Sequence, residues 1–443
     1  MKFPGLFDFV SLIVAVPEGF AFLAVCLFAF LTVKAIYNVY FHPLRKYPGP
    51  WIARASRLPF LYYQVTGRLP HAIKEIHEKY GHVVRIAPND LSYLQSQAWF
   101  DIHGHQASTR SGWFERDPSV YPQLPGRAPS IKLYGQIDGS RQGVVNISDW
   151  LNFTTFDIIG DLSFDIVYLA AISHLPKPLF STALKILETF AMGDLAKDKD
   201  FAADRVNLRL QQGSDRGDFV SPILRANDEK GMTVSEIQSS FNIIIVAGSE
   251  TTATLLSGTL YLLSQHPEVY KRLMTELTSA FPTRESIDMA AVQYLPYLNA
   301  VLEESLRVYP PSAFNQARIV PRGGAIICGE MVPGGTAVAV GTLAAFSSKY
   351  NWIKPEQFIP ERWLGEGWSG DNRRVMQPFI TGPRNCIGKN LAYAEMRLIL
   401  TLFLLNFEYE LLPESHGWMD FRFYLLWERP RLMLKLSPRA VLN

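Results

Sequence analysis

The stretch from Thr233 to His266 most limits what this chain can fold into. Thr233 and Glu236 have the spacing of a capping box, in which each residue satisfies a backbone N–H of the other at the start of a helix. The residues that follow, SEIQSSFNIIIVAGSETTATLLSGTLYLLSQ, sustain a helical pattern as far as His266-Pro267. A helix apolar on most of its sides cannot lie on a surface, so this one must cross the core.

Further helices follow in PEVYKRLMTELTSAF, PYLNAVLEESLRVYP and KNLAYAEMRLILTLFLLNF. Upstream, HAIKEIHEKYG sets Ala72, Ile73, Ile76 and Tyr80 at amphipathic spacing. VVRIAPNDLSYL reads as a strand, a Pro-Asn-Asp turn and a second strand, and GGAIICGEMVPGGTAVAV, with glycine corners between β-prone runs, as a small sheet. FRFYLLW and RLMLKL read as short strands near the C-terminus. The expected fold class is mainly α with a small segregated β part. No G-x-G-x-x-G follows a strand, so no dinucleotide site is expected.

With 48% hydrophobic residues among 443, the chain can bury a large core. A formal charge of +2 gives no reason to expect nucleic acid as a partner. Cys26, Cys328 and Cys386 lie far apart, which argues against a disulfide framework or a cysteine zinc site and for a reducing compartment. His103 and His105 in DIHGH are the only close histidine pair; with Asp101 as their sole acidic neighbour they read as surface residues.

The first forty residues differ from the rest. From Phe9 to Val33 the chain is apolar except for Glu18, longer than the ~20 residues that span a bilayer. It is too long for a cleaved signal peptide, with no basic start beyond Lys2 and no small-x-small cleavage site. Residues 1–40 are therefore expected to form a transmembrane anchor and 41–443 the functional domain. Lys34, Arg45, Lys46, Arg54 and Arg57 follow the span, which orients that domain to the cytosol. In that topology the sequons at Asn146 and Asn152 are chance matches.

Chemistry concentrates in FITGPRNCIG, residues 379–388, where Cys386 stands between glycines behind a Gly-Pro turn and an arginine. A free cysteine is most often a packed, inert thiol. Here Gly382 and Gly388 suit close backbone approach to something flat and bulky, and both the following helix N-terminus and the guanidinium of Arg384 favour thiolate. The segment resembles the haem-binding loop of the cytochrome P-450 monooxygenases, with Phe379, Gly382, Arg384, Cys386 and Gly388 each in place. That resemblance implies haem b (iron protoporphyrin IX), with Cys386 as the axial thiolate ligand of its iron and Arg384 paired with a propionate.

Other segments carry the same resemblance. AGSETT, Ala247 to Thr252, is similar to the family's oxygen-activation segment. Ala247 and Gly248 leave room beside a cofactor for dioxygen, and Thr251 with Glu250 suits proton delivery; the bland alternative is a threonine bonded back to its own helix. EESLR places Glu304 and Arg307 on one helical face. The resemblance adds Arg362 of FIPERW, giving a structural Glu-Arg-Arg cluster that locks the helix against the Cys386 loop. Arg318 in QARIVPRGG stands where relatives place a further propionate-binding arginine.

The resemblance thins over 117–150 and 165–230. Pro118, Pro122, Pro125 and Pro129, then Gly126, Gly135, Gly139 and Gly143, exclude the basic helix that relatives use to grip a propionate and meet their reductase; SRQG around Arg141 is its expected remnant. Beyond Phe164 the distal helices over the substrate pocket look shortened. FHPLRKYPGP, FTTFDIIGDLSF and FIPERWL resemble membrane-bound fungal members of secondary metabolism. The expectation is a monooxygenase at the endoplasmic reticulum membrane. It would use dioxygen, an apolar small-molecule substrate and electrons from NADPH-cytochrome P-450 reductase. The alternative is a haem-binding membrane protein left inactive by internal deletion.

Overall fold

The computed structural model describes residues 25–104, 114–116, 231–283, 286–313, 316–365, 367–419, 422–424 and 432–439, with single residues 22, 207, 211 and 427. Most of the expected anchor over Phe9–Val33 lies outside the described residues, as do His105, Arg141, Asn146, Asn152, the stretch 117–150 and nearly all of 165–230. Helix α1 runs over 25–40 and exposes Phe28, Phe30, Leu31 and Val33. Among the described residues no helix is long and apolar enough to cross a membrane.

Helices α2 (Trp51–Ala55), α3 (Leu58–Val65) and α4 (Leu69–Tyr80) lead into strands β1 (Val83–Ala87) and β2 (Asp90–Tyr93). On α4 the predicted apolar face is inward: Ala72 and Ile73 are buried, and Ile76 and Tyr80 pack against the core. Helix α5 (Ser96–His103) and the two-residue β3 (Glu115–Arg116) follow. The long predicted helix is α6 (Val234–Gln265), and its capping box is formed: Thr233 Oγ1 accepts from Glu236 N at 3.2 Å while Glu236 Oε2 accepts from Thr233 N at 2.8 Å. Such a cap contributes about 1 kcal/mol. Helices α7 (Pro267–Ala280), α8 (Met289–Val292) and α9 (Pro296–Val308) come next. Helix α9 lies deepest, with Leu298, Val301 and Leu302 fully buried between α6, α7 and α11 (Lys389–Asn406).

The β part is less segregated than its sequence suggests. GGAIICGEMVPGGTAVAV divides between two sheets. Strands β5 (Ala325–Ile327) and β6 (Glu330–Val332) form a separate hairpin, closed by Cys328 at φ 50° and Gly329 at φ 81°, the positive pair of a tight two-residue turn. Strand β7 (Ala337–Val340), buried along its whole length, instead pairs in parallel with β2, Asp90 opposite Ala337. With β4 (Arg318–Ile319) this makes a five-stranded sheet, β1-β2-β7-β4-β3, which ties the early chain to the late one. Helix α10 (Thr342–Phe346) follows β7.

Helix α11 stops at Asn406 and the chain turns into β8 (Phe407–Leu411), a strand that the sequence reading did not find and whose first residue, Phe407, it placed in the helix. Its alternation, Phe407, Tyr409 and Leu411 half-buried against exposed Glu408 and Glu410, marks a strand with one face covered. It pairs with β9 (Leu434–Pro438), which overlaps the predicted RLMLKL strand, whereas the described residues of FRFYLLW form a bridge between Phe423 and Trp427.

His77 fastens α4 to this sheet. Gly81 O can only accept, so Nδ1 donates to it at 2.7 Å and Nε2 accepts from Ser92 Oγ at 2.9 Å. Burial pushes the His77 pKa down to about 4. The unfolded chain therefore binds a proton that the folded chain refuses. The stabilisation is complete above pH 6.5 and is lost as pH falls through 4, on the order of 3 kcal/mol. Urea unfolding midpoints should fall between pH 6.5 and 4, and His77→Gln should show a visibly smaller fall over that window than the parent.

Candidate active site

The site is framed from α9. Glu304, fully buried, accepts from Arg307 Nη2 and Nε at 2.8 and 2.9 Å, from Arg362 Nε at 3.0 Å, from Ile359 N at 2.9 Å and from Trp363 Nε1 at 2.9 Å. Arg307 spends its other donors on the carbonyls of Phe346, Pro355 and Gln357, and Arg362 on Asp371 and Ile353. The expected Glu304–Arg307–Arg362 cluster is thus brought together, and every charge has hydrogen-bonded company, the condition under which burial is tolerated. Sequence reasoning missed Asp371 and Trp363, which lie in the loop around Arg362 without a fixed spacing to Glu304. The cluster pins 353–371, and Asn372 N continues the tie by donating to Asn351 O at 2.7 Å.

From this anchored segment the chain enters the Cys386 loop. Ile380, β-branched, takes φ 60°, a left-handed backbone that such residues rarely adopt. Cys386 N donates to Phe379 O at 2.9 Å, and Asn385 N to Gly382 O at 3.1 Å, closing the loop on itself. Gly382 has φ 83°, and a Cβ there would lie 1.8 Å from His103 O. Packing on the end of α5 therefore by itself demands glycine at this position. At Gly388 a Cβ would sit 3.9 Å from Cys386 Sγ, within ordinary contact of the sulfur.

Cys386 exposes surface as a residue, yet enough protein crowds its sulfur that burial raises the thiol pKa; the Gly388 N–H and the Lys389 charge act the other way. Arg384, expected to act on the sulfur, is exposed and has no hydrogen-bond or ion-pair partner among the described residues; Lys389, overlooked in the sequence, is a cation that bears on the sulfur. Phe379 meets Tyr393 of α11 with ring centroids 5.1 Å apart, and Tyr393 Oη donates to Glu303 of α9 at 2.6 Å.

Helix α6 packs against α11, and Thr252 Oγ1 donates to Glu395 Oε2 at 3.4 Å. One turn earlier, Ala247 and Gly248 are exposed, and a Cβ on Gly248 would meet nothing within 4 Å. The helix so offers a bare, open stretch midway along its length. Thr251 Oγ1 donates to Ala247 O at 2.8 Å, the bond back to its own helix, while Glu250 is buried. The engaged hydroxyl keeps two lone pairs for accepting.

His103 corrects the sequence reading. Expected at the surface, it is buried, with its ring tilted against Trp99 at 5.5 Å. Burial, with the charge of Arg318 adding, pushes its pKa down to about 3. The signal was present: His103 lies four residues from Trp99, on the stripe of Ala98, Trp99 and Ile102 that α5 buries. Asp101, on the same helix, accepts from Cys328 N at 2.8 Å and so holds the β5–β6 turn. Arg318 is itself buried, its Nη1 reaching Ala317 O at 3.1 Å.

These residues fit a haem. The loop presents one accessible cysteine, α6 supplies an open stretch without side-chain bulk, and buried Arg318 sits near the loop through His103. The profile of the cytochrome P-450 family matches residues 169–436. The cytochrome P-450 monooxygenase aclL of Aspergillus oryzae is 39% identical, over 92% of this chain and 96% of its own. The cytochrome P-450 monooxygenase astA of Talaromyces wortmannii is 39% identical over 96% and 98%. The cytochrome P-450 monooxygenase efuB of Hormonema carpetanum is 36% identical over 91% and 94%. This chain belongs to the cytochrome P-450 family. The aclL alignment extends over 472 positions, more than the 443 residues of this chain, so part of it is filled by the relative alone.

Two substitutions probe the frame. Glu304→Gln leaves buried Arg307 without its anion and Arg362 with Asp371 alone, and should cost about 3–5 kcal/mol, read as a lowered denaturation midpoint or loss of soluble protein. Gly382→Ala must move the loop off α5, and should lower the thermal midpoint by several degrees without altering any charge.

Proposed function

We propose that this monooxygenase binds haem b through Cys386 and inserts one oxygen atom from dioxygen into an apolar small molecule. The observation that carries the reading is an exposed cysteine held by a closed loop at the start of α11. When bound, haem supplies the oxygen chemistry; the chain supplies the sulfur and the surroundings. Arg384 and Arg318 offer guanidiniums to the propionates, and Phe379 with Gly388 flanks the sulfur.

The proton path runs through α6. Thr251 Oγ1 holds its proton on Ala247 O; rotation about its side chain releases that proton toward the open side of Ala247 and Gly248. Glu250, next along the helix, is the titratable group that replaces it. Electrons come from a separate NADPH-dependent reductase. The exposed apolar face of α1, continued by exposed Trp51, Leu58 and Tyr62, supports attachment of a cytosolic domain to the endoplasmic reticulum membrane. The fungal relatives support a place in secondary metabolite biosynthesis, and the excess length of the aclL alignment supports a shortened distal side.

The carbon monoxide difference spectrum of the reduced protein tests the ligand. The parent should show a thiolate-type Soret shift that Cys386→Ala abolishes; no haem signal from the parent would defeat the reading. In the active enzyme, Thr251→Ala should consume NADPH with about tenfold less product per electron pair. Unchanged coupling would remove Thr251 from the path.

A further inference from the structure

We propose that His103 holds the haem, donating its Nε2–H to a propionate oxygen beside Arg318; the inference rests on the haem reading of the Cys386 site. Among the described residues, buried His103 Nε2 has no hydrogen-bond partner. Buried polar atoms are nearly always satisfied, so an orphaned ring nitrogen calls for a partner. The partner is not supplied from α5: Asp101, the nearest carboxylate in sequence, is committed to Cys328 N and to Gln97 Nε2.

Position argues for the same ligand. The backbone carbonyl of His103 lies directly under Gly382, so this residue is a wall of the loop that carries Cys386. Trp99, tilted against its ring, donates Nε1 to Val375 O at 3.0 Å and so fixes α5 to the segment leading into that loop. The buried guanidinium of Arg318 from β4 bears on the ring through its charge. An imidazole N–H and a guanidinium, both donors, recognise an anion with paired oxygens, and a carboxylate is the match. Of the parts of a haem, only the propionates have that chemistry.

The experiment measures haem release from the full-length protein in detergent to an excess of a haem-scavenging apoprotein. It is run with iron protoporphyrin IX and with its dimethyl ester, in which both propionates are masked. His103→Phe and His103→Leu, in parallel, should release haem about tenfold faster than the parent. His103→Gln, which retains a donor, should recover part of the difference. With the dimethyl ester, parent and variants should release at the same rate. Equal release of haem itself from parent and variants overturns the proposal. Equal acceleration with haem and with ester overturns it too, because His103 would then act only by packing. If the parent takes up no haem, the reading of the Cys386 site fails and this inference with it, an outcome distinct from parent binding with no effect of His103.

Discussion

A single buried carboxylate organises the region on which everything else depends. Glu304 accepts from two arginines, a backbone N–H and an indole N–H, with no surface exposed to water. Its worth lies less in net stability than in what the alternative would cost. Removing any one partner strands a charge in a medium that cannot solvate it, so the segment it holds has one acceptable arrangement. That segment, 353–371, is the platform from which the chain sets out toward Ile380 and Cys386. A loop with a strained β-branched residue and a closed hydrogen-bond ring needs fixed ends, and the buried cluster supplies one of them while α11 supplies the other.

Much of this was legible because it is local. Capping-box spacing at Thr233 and Glu236, the three-residue spacing of Glu304 and Arg307, and the order of residues around Cys386 are all read within one turn or one loop. What was not legible is non-local. Nothing in TAVAV says that β7 will pair with β2 rather than with its neighbour β6, because a fully apolar strand carries no face preference and its partner is chosen by the whole sheet. The steric demand for glycine at 382 was likewise out of reach, since it comes from the carbonyl of His103, a residue far back in the chain. His103 was misplaced by treating DIHGH as a motif of two histidines, when the useful pattern was the apolar stripe of α5. Lys389 was overlooked because attention went to the arginine before the cysteine and not to the lysine after it.

Three features recur at residues proposed above to meet the haem. The Cys386 thiol is crowded enough that burial disfavours its charged form, the His103 ring nitrogen has no partner, and Gly248 faces open space in the middle of a core helix. Each is a local cost, and each concerns a group that a haem would satisfy: a cation for the sulfur, an anion for the imidazole, a flat surface for the bare helix. At Cys386 the Gly388 N–H and the Lys389 charge oppose the effect of burial, so the loop's own backbone and the first residue of α11 temper the desolvation that packing around the sulfur imposes.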